Sequence, residues 1–175
     1  MKRLILFRHA KAVQTSAQGD HGRSLNPRGQ RDAAAMGREM AARGLVPELV
    51  LISSARRTME TWRLAAPELK AAPAVQVSDS LYLAPPRAIL ALLRETGGAG
   101  TVMVVGHNPG LEEFAAELLG PAAGRDEEKR RGILEEKFPT AALAVLDCDI
   151  ADWQDLKRGT ATLAEFLKPR DLDDQ

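Results

Sequence analysis

Residues 4–10 read Leu4-Ile5-Leu6-Phe7-Arg8-His9-Ala10, four consecutive apolar residues that run straight into an arginine and a histidine. Three similar runs follow along the chain. Leu49 to Ile52 leads into Ser53, Ser54 and Arg57, Val75 to Val77 stands alone, and Val102 to Val105 leads into Gly106 and His107. Short apolar runs separated by longer amphipathic segments predict parallel strands joined by helical crossovers, an α/β fold. In open parallel sheets the ligand crevice lies beyond the carboxyl ends of the strands. Groups far apart in sequence, Arg8, His9, Arg57 and His107, are therefore expected to converge on one site.

The intervening segments carry helix signals. Asn26 before Pro27 reads as an N-cap and first position, with Gly44 as the stop. Ser54 is placed to cap a second helix, in which Met59, Trp62 and Ala66 recur at helical spacing before Pro67. Pro86 opens a third, carrying Ile89, Leu92 and Leu93 and ending near Gly97 and Gly98. Asn108 and Pro109 open a fourth whose apolar face is Leu111, Phe114, Ala115, Leu118 and Leu119, closed by Gly120 and Pro121. Arg125 to Arg131 is an unbroken run of charged residues, expected to be a solvated helix or loop that adds nothing to a core. Ala141 to Leu146 reads as a further strand, and Thr160 to Leu167 as a strand or a helix. With no internal repeat and no linker, residues 1–175 are expected to form a single domain.

Composition limits the partners. The chain carries 24 basic and 24 acidic residues, so no global field draws it to nucleic acid or to a membrane surface. An anion must then be bound locally. Cys148 is the one cysteine and cannot form an internal disulfide, which points to a reducing cytoplasm. No cysteine and histidine cluster has zinc-ligand spacing, so no metal site is expected. Met1 to Phe7 briefly resembles a signal peptide, but Arg8 interrupts the apolar run well short of the roughly 7 to 15 residues of a signal core. No run approaches the roughly 20 residues of a membrane span.

The strand-end residues favour phosphate as the anion. Arg57 falls in the first turn of a helix, and His107 directly precedes Asn108 and Pro109. Free N–H groups and the positive dipole end of a helix attract anions there, and arginine adds a planar fork matched to phosphate oxygens. Neutral imidazole is a competent nucleophile toward phosphorus, and nearby cations would keep His9 neutral near pH 7. His21 has no such setting and reads as a loop residue, and Cys148 as a packing residue.

Four ordered stretches carry a resemblance to a known family. Leu6 to Ala10 (LFRHA) resembles the opening signature of the histidine phosphatase superfamily. Ser24 to Gly29 (SLNPRG), Ser53 to Thr61 (SSARRTMET) and Val105 to Gly110 (VGHNPG) resemble its small phosphohistidine phosphatase branch, the SixA-like proteins. Lys137 to Thr140 (KFPT) and Pro169 to Leu172 (PRDL) extend the likeness over nearly the whole chain. The resemblance implies a phosphoglycerate mutase-like three-layer sandwich with a mostly parallel central sheet, and a covalent phosphohistidine intermediate formed without metal or cofactor. Carried over by position, His9 is the nucleophile, Arg8 and Arg57 clamp phosphate, and His107 is the second pocket histidine. Arg56 is the neighbouring alternative to Arg57, which the Ser-x-x-x-Arg spacing from Ser53 favours. Asn108 and Arg23 join the candidate substrate-binding residues. Other members use an acidic residue to protonate an alkoxide leaving group; the corresponding region, Ser78 to Ala84, offers only Asp79. The expected activity is hydrolysis of phosphohistidine on a protein, with a small phosphorylated metabolite as the alternative substrate and a noncatalytic phosphate-binding module as the alternative role.

Overall fold

A computed structural model describes residues 1–173. The strands are β1 (Lys2–Arg8), β2 (Leu49–Ser53), β3 (Ala74–Ser78), β4 (Thr101–Gly106), β5 (Leu143–Cys148) and β6 (Ala161–Leu167). The helices are α1 (Pro27–Ala42), α2 (Arg56–Ala65), α3 (Pro86–Leu93), α4 (Gly110–Leu118), α5 (Arg125–Glu136) and α6 (Pro169–Asp173). One mixed sheet has the order β3-β2-β4-β1-β5-β6. Its first four strands run parallel, whereas β5 pairs antiparallel with both β1 and β6.

Strand alternation sorts side chains into two cores, one on each face. Leu4 and Leu6 of β1, with Leu51, Val102 and Val104, pack under Ile89 and Leu93 of α3 and Leu111, Phe114 and Leu118 of α4. Ile5 and Phe7, with Val50, Ile52, Met103 and Val105, pack under Met36 and Met40 of α1 and Trp62 of α2. Because β1 and β4 are covered on both faces, their sequences are continuous apolar runs. Full burial of a side chain the size of Leu or Phe contributes about 1.5 to 3 kcal/mol, so these stripes dictate which way each helix faces.

Several helix ends differ from expectation. Asn26 does cap α1, its side chain accepting from Gly29 N–H at 2.8 Å. Ser54 does not cap α2, whose N-cap is Ala55; the Ser54 hydroxyl contacts His21 instead. Helix α4 begins at Gly110, with Pro109 as its N-cap. Gly110 sits where a Cβ would lie 1.9 Å from the Ala84 carbonyl oxygen, so only glycine allows that approach. The charged run forms the first half of α5 and does reach the interior. Glu127 is buried because three donors satisfy its carboxylate: Ala123 N–H at 2.6 Å, Leu163 N–H at 2.8 Å and the Arg131 guanidinium. Residues 161–167 form a strand, and β3 is an edge strand with Val75 and Val77 about half exposed. Among the described residues no helix is long and apolar enough to cross a membrane.

Candidate active site

Strand register assembles the site. β1 and β4 align Arg8 with Gly106, which sets His9 beside His107, and β2 on the other side of β4 aligns Ile52 with Val105. His9 N–H donates to the Gly106 carbonyl at 3.1 Å, and Ala141 N–H donates to the His9 carbonyl at 3.0 Å, so the end of β4 and the turn leading into β5 grip the residue. The two imidazoles lie with centroids 5.4 Å apart, and both are almost completely buried.

The tautomer of each histidine follows from its partners. His9 Nδ1 lies 2.8 Å from the Ala10 carbonyl oxygen, which can only accept, so Nδ1 carries the proton and the Nε2 lone pair is free. His107 Nδ1 lies 3.3 Å from Arg57 Nη2, which can only donate, so this nitrogen accepts. His107 Nε2 therefore carries the proton and donates to Ser53 Oγ at 2.7 Å.

Both rings are held neutral. Burial is the main cause, lowering His9 to about 4, with the charges of Arg57, Arg8 and Arg23 adding to it. Burial likewise lowers His107 to about 3, reinforced by His9 and Arg57.

Arg57 and Arg56 are turned to opposite sides. The Arg57 side chain is buried, whereas Arg56 is more than half exposed and pairs with Glu60 at 3.1 Å. Arg57 donates Nη1 to the Asp20 carbonyl at 2.8 Å and Nη2 to the Asp20 carboxylate at 3.1 Å. Arg8 donates Nη1 to the Phe138 carbonyl at 2.9 Å. The Nε atoms of both arginines are buried donors without a protein acceptor among the described residues.

Of the remaining expected residues, Arg23 bonds the Asp20 carboxylate at 3.0 Å and the Val13 carbonyl at 2.9 Å, holding the loop over the pocket. Asn108 donates to the Phe138 carbonyl at 2.9 Å and accepts from Glu112 N–H at 3.3 Å. Both ends of its amide thus serve the backbone. Asp79 is exposed in the turn after β3 and its carboxylate bonds no pocket group among the described residues.

Four further residues shape the pocket: Ser53 and Thr61, which lie in the SSARRTMET stretch but have no pocket role expected from the sequence, and Asp20 and Tyr82. Asp20 lies against Arg57 and Arg23, and Tyr82 donates its hydroxyl to the same carboxylate. These donors, Tyr82 first, hold Asp20 at about 2, so it is ionised at neutral pH. Thr61 Oγ1 accepts from Ala10 N–H at 2.9 Å and donates to the Arg57 carbonyl at 2.7 Å, tying α2 to the end of β1. Ser53 orients His107. The one sequence signal for Asp20 is its place three residues before Arg23, too weak to single it out.

Beside the pocket, with His21 and Ser54 on the shared rim, an apolar groove of about 960 Å³ runs over Met59, Trp62, Val75 and Val77. No group of three or more histidine, cysteine, aspartate or glutamate side chains that could hold a metal ion occurs among the described residues.

Comparison with known proteins matches this arrangement to a family. Residues 4–81 match the model of the histidine phosphatase superfamily (branch 1). An uncharacterized protein of Mycobacterium tuberculosis is 35% identical over 165 residues, covering 94% of this chain and 100% of the relative. A solved structure assigned as phosphohistidine phosphatase SixA, from Nakamurella multipartitia, is 32% identical, with a TM-score of 0.78 and 96% of each chain covered. A second, from Agrobacterium tumefaciens, is 29% identical with a TM-score of 0.79, covering 96% of this chain and 98% of that one. By sequence match and by its phosphoglycerate mutase-like sheet, the chain belongs to the histidine phosphatase superfamily, in its SixA-like branch, and is a phosphatase by family.

Proposed function

We propose that this phosphatase removes phosphate from phosphohistidine on a protein, carrying the phosphoryl group transiently on His9. The observation that carries this reading is the free Nε2 lone pair of a neutral His9, pinned by Ala10 and set beside His107 and the guanidiniums of Arg8 and Arg57. His9 Nε2 attacks phosphorus while the bond from phosphorus to the substrate imidazole breaks, and the released ring nitrogen takes a proton from solvent. Water then attacks the phosphorylated His9, the new N–P bond breaks, and orthophosphate leaves with His9 neutral again. Arg8 and Arg57 neutralise the equatorial oxygens through donors that include the two unpartnered Nε atoms. A bound phosphoryl dianion favours protonation of His107. Its Nε2–H stays on Ser53, and the new Nδ1–H can donate to a phosphoryl oxygen during both transfers.

Phosphohistidine is favoured over a phosphate ester by the carboxylates. An alkoxide must be protonated as it leaves, and the carboxylate beside the pocket, Asp20, is ionised at neutral pH and already accepts three donors. Imidazole, with a reference pKa of about 6.5, needs no such acid. The apolar groove on the pocket rim also suits a polypeptide better than a sugar or glycerate phosphate.

Turnover of a phosphohistidine protein should exceed that of a panel of sugar and glycerate phosphates in kcat/KM. Rapid quench should trap acid-labile, alkali-stable phosphate on His9, absent from His9→Ala. Preference for a metabolite would replace the substrate, and label on His107 or a serine with His9→Ala still active would remove the covalent step.

A further inference from the structure

A second cleft, of about 460 Å³, is lined by Arg8 but not by His9, Arg57 or His107, and apart from Arg8 the reaction above uses none of its residues. Its walls bring together Arg8, Lys11, Arg28, Lys137, Lys168 and Arg170, against the carboxylates of Asp32 and Glu136. In a chain with equal numbers of basic and acidic residues, that is a local concentration of positive charge. The cations come from four separate segments, so no single helix face explains the grouping. Two of those segments are the KFPT and PRDL stretches, which supply Lys137 with Thr140 and Arg170 with Pro169.

The charges are only partly compensated. Asp32 stands 3.7 Å from Arg28, and Lys168 stands 4.0 Å from the half-exposed Asp171. Lys11, Lys137 and Arg170 make no ion pair among the described residues. Arg8 lines this cleft and also stands next to His9, whose ring its charge acts on. Its Nη1 is anchored on Phe138 between the KFPT lysine and proline, and its Nε is a buried donor without a protein acceptor.

We propose that this cleft is a second anion subsite, which holds a phosphate or carboxylate of the same substrate whose phosphoryl group is presented to His9. A substrate reaching from the His9 pocket into this cleft would place an anionic group in each, and the exposed lysines and arginines would bind the distal one mainly by screened Coulomb attraction. The inference rests on reading the His9 pocket as the phosphoryl site.

Inorganic orthophosphate and tripolyphosphate serve as probes, as competitive inhibitors of the intact enzyme at low salt. Tripolyphosphate should bind more tightly than orthophosphate. In the double variant Lys137→Gln, Arg170→Gln its advantage should shrink about 5- to 20-fold, since exposed charge contacts are each worth a factor of about 2 to 5. Orthophosphate inhibition should not change, and because both side chains are exposed the melting temperature should hold. Raising the salt to 0.5 M should erode the wild-type advantage in the same way, at a Debye length of about 4 Å. If orthophosphate competes but tripolyphosphate gains nothing over it, or if the variant weakens both equally, the subsite is refuted while the phosphatase reading stands. If orthophosphate neither inhibits nor shifts the His9 imidazole signals, both fail. Where the double variant loses kcat/KM on a phosphohistidine protein, the second anion belongs to carboxylates flanking the phosphohistidine. Loss confined to a bisphosphorylated small molecule assigns it to a metabolite.

Discussion

Acidification from pH 7 to 4 is the most direct test of the pocket's electrostatics. An ordinary histidine with a pKa near 6.5 would be only about 3% neutral at pH 5, whereas His9, lowered to about 4, is still about 90% neutral there. The nucleophilic form is thus about 30-fold more abundant at pH 5 than an unperturbed ring would allow. The same shift links pH to stability. Between about 6.5 and 4 the unfolded chain binds a proton at His9 that the folded chain does not, so stability rises with pH across that window. The contribution is fully present above pH 6.5 and is lost as pH falls to about 4, by a total on the order of 3 kcal/mol for His9. His107, lowered to about 3, acts in the same direction. The chain has three histidines, so long-range ¹H–¹⁵N spectra of the imidazoles, assigned with His9→Gln and His107→Gln, resolve each ring. His9 should remain in the Nδ1–H form and His107 in the Nε2–H form at pH 7, and both should titrate well below 5. A His9 titration within half a unit of 6.5, or an Nε2–H tautomer for His9, would refute the burial argument and the assignment of the attacking atom together.

Three further outcomes are expected. Arg57→Lys should lose about 100-fold or more in kcat/KM, because an ammonium cannot reproduce the two-pronged guanidinium contact, whereas Arg56→Lys should stay within about twofold; the reverse order would move the clamp by one residue. Turnover should survive EDTA unchanged, since two guanidiniums supply the positive charge at the phosphoryl group; abolition by EDTA with restoration by magnesium or zinc would reject the mechanism. Glu127→Ala should cost about 2 kcal/mol in urea denaturation, because it leaves the buried Leu163 N–H without its acceptor and removes the acceptor of the part-buried Ala123 N–H and Arg131 guanidinium; a change below about 0.5 kcal/mol would show that the charged helix is merely solvated.

The fold was legible where one local signal decided it. Leu4 to Phe7 and Val102 to Val105 lie in β1 and β4, central strands covered on both faces, and such burial imposes a continuous apolar run that is easy to read. Val75 and Val77 look the same in sequence yet sit on the sheet edge, because strand order is a tertiary property that no local pattern records. Helix starts were harder. Ser54 is a good capping type but is drawn to His21, and Asn108 stands one residue before the N-cap, its amide oxygen still accepting from Glu112 N–H in the first turn while its nitrogen donates to Phe138. Glu127 is the clearest case of context overriding composition. Nothing in a run of charged residues says which one will find three donors and become buried.

The site divides along the same line. The convergence of His9, Arg8, Arg57 and His107 was legible because they stand at the ends of apolar runs or open helices, where backbone geometry alone predicts it. Asp20, Ser53, Thr61 and Tyr82 shape the site largely through contacts 37 to 62 residues distant in sequence, or through a neighbour's tautomer. Their consequences are nonetheless chemical. The Asp20 carboxylate is half exposed, so its pair with Arg57 is solvent-screened and contributes little. A phosphoryl dianion, which brings more charge and can also meet the two unpartnered Nε donors, has the larger claim on that guanidinium. Asp20 thus keeps Arg57 oriented and charged while remaining exchangeable, and its own ionisation withholds the proton an ester substrate would need. One loop residue therefore connects the readiness of the clamp with the imidazole leaving group proposed for the substrate.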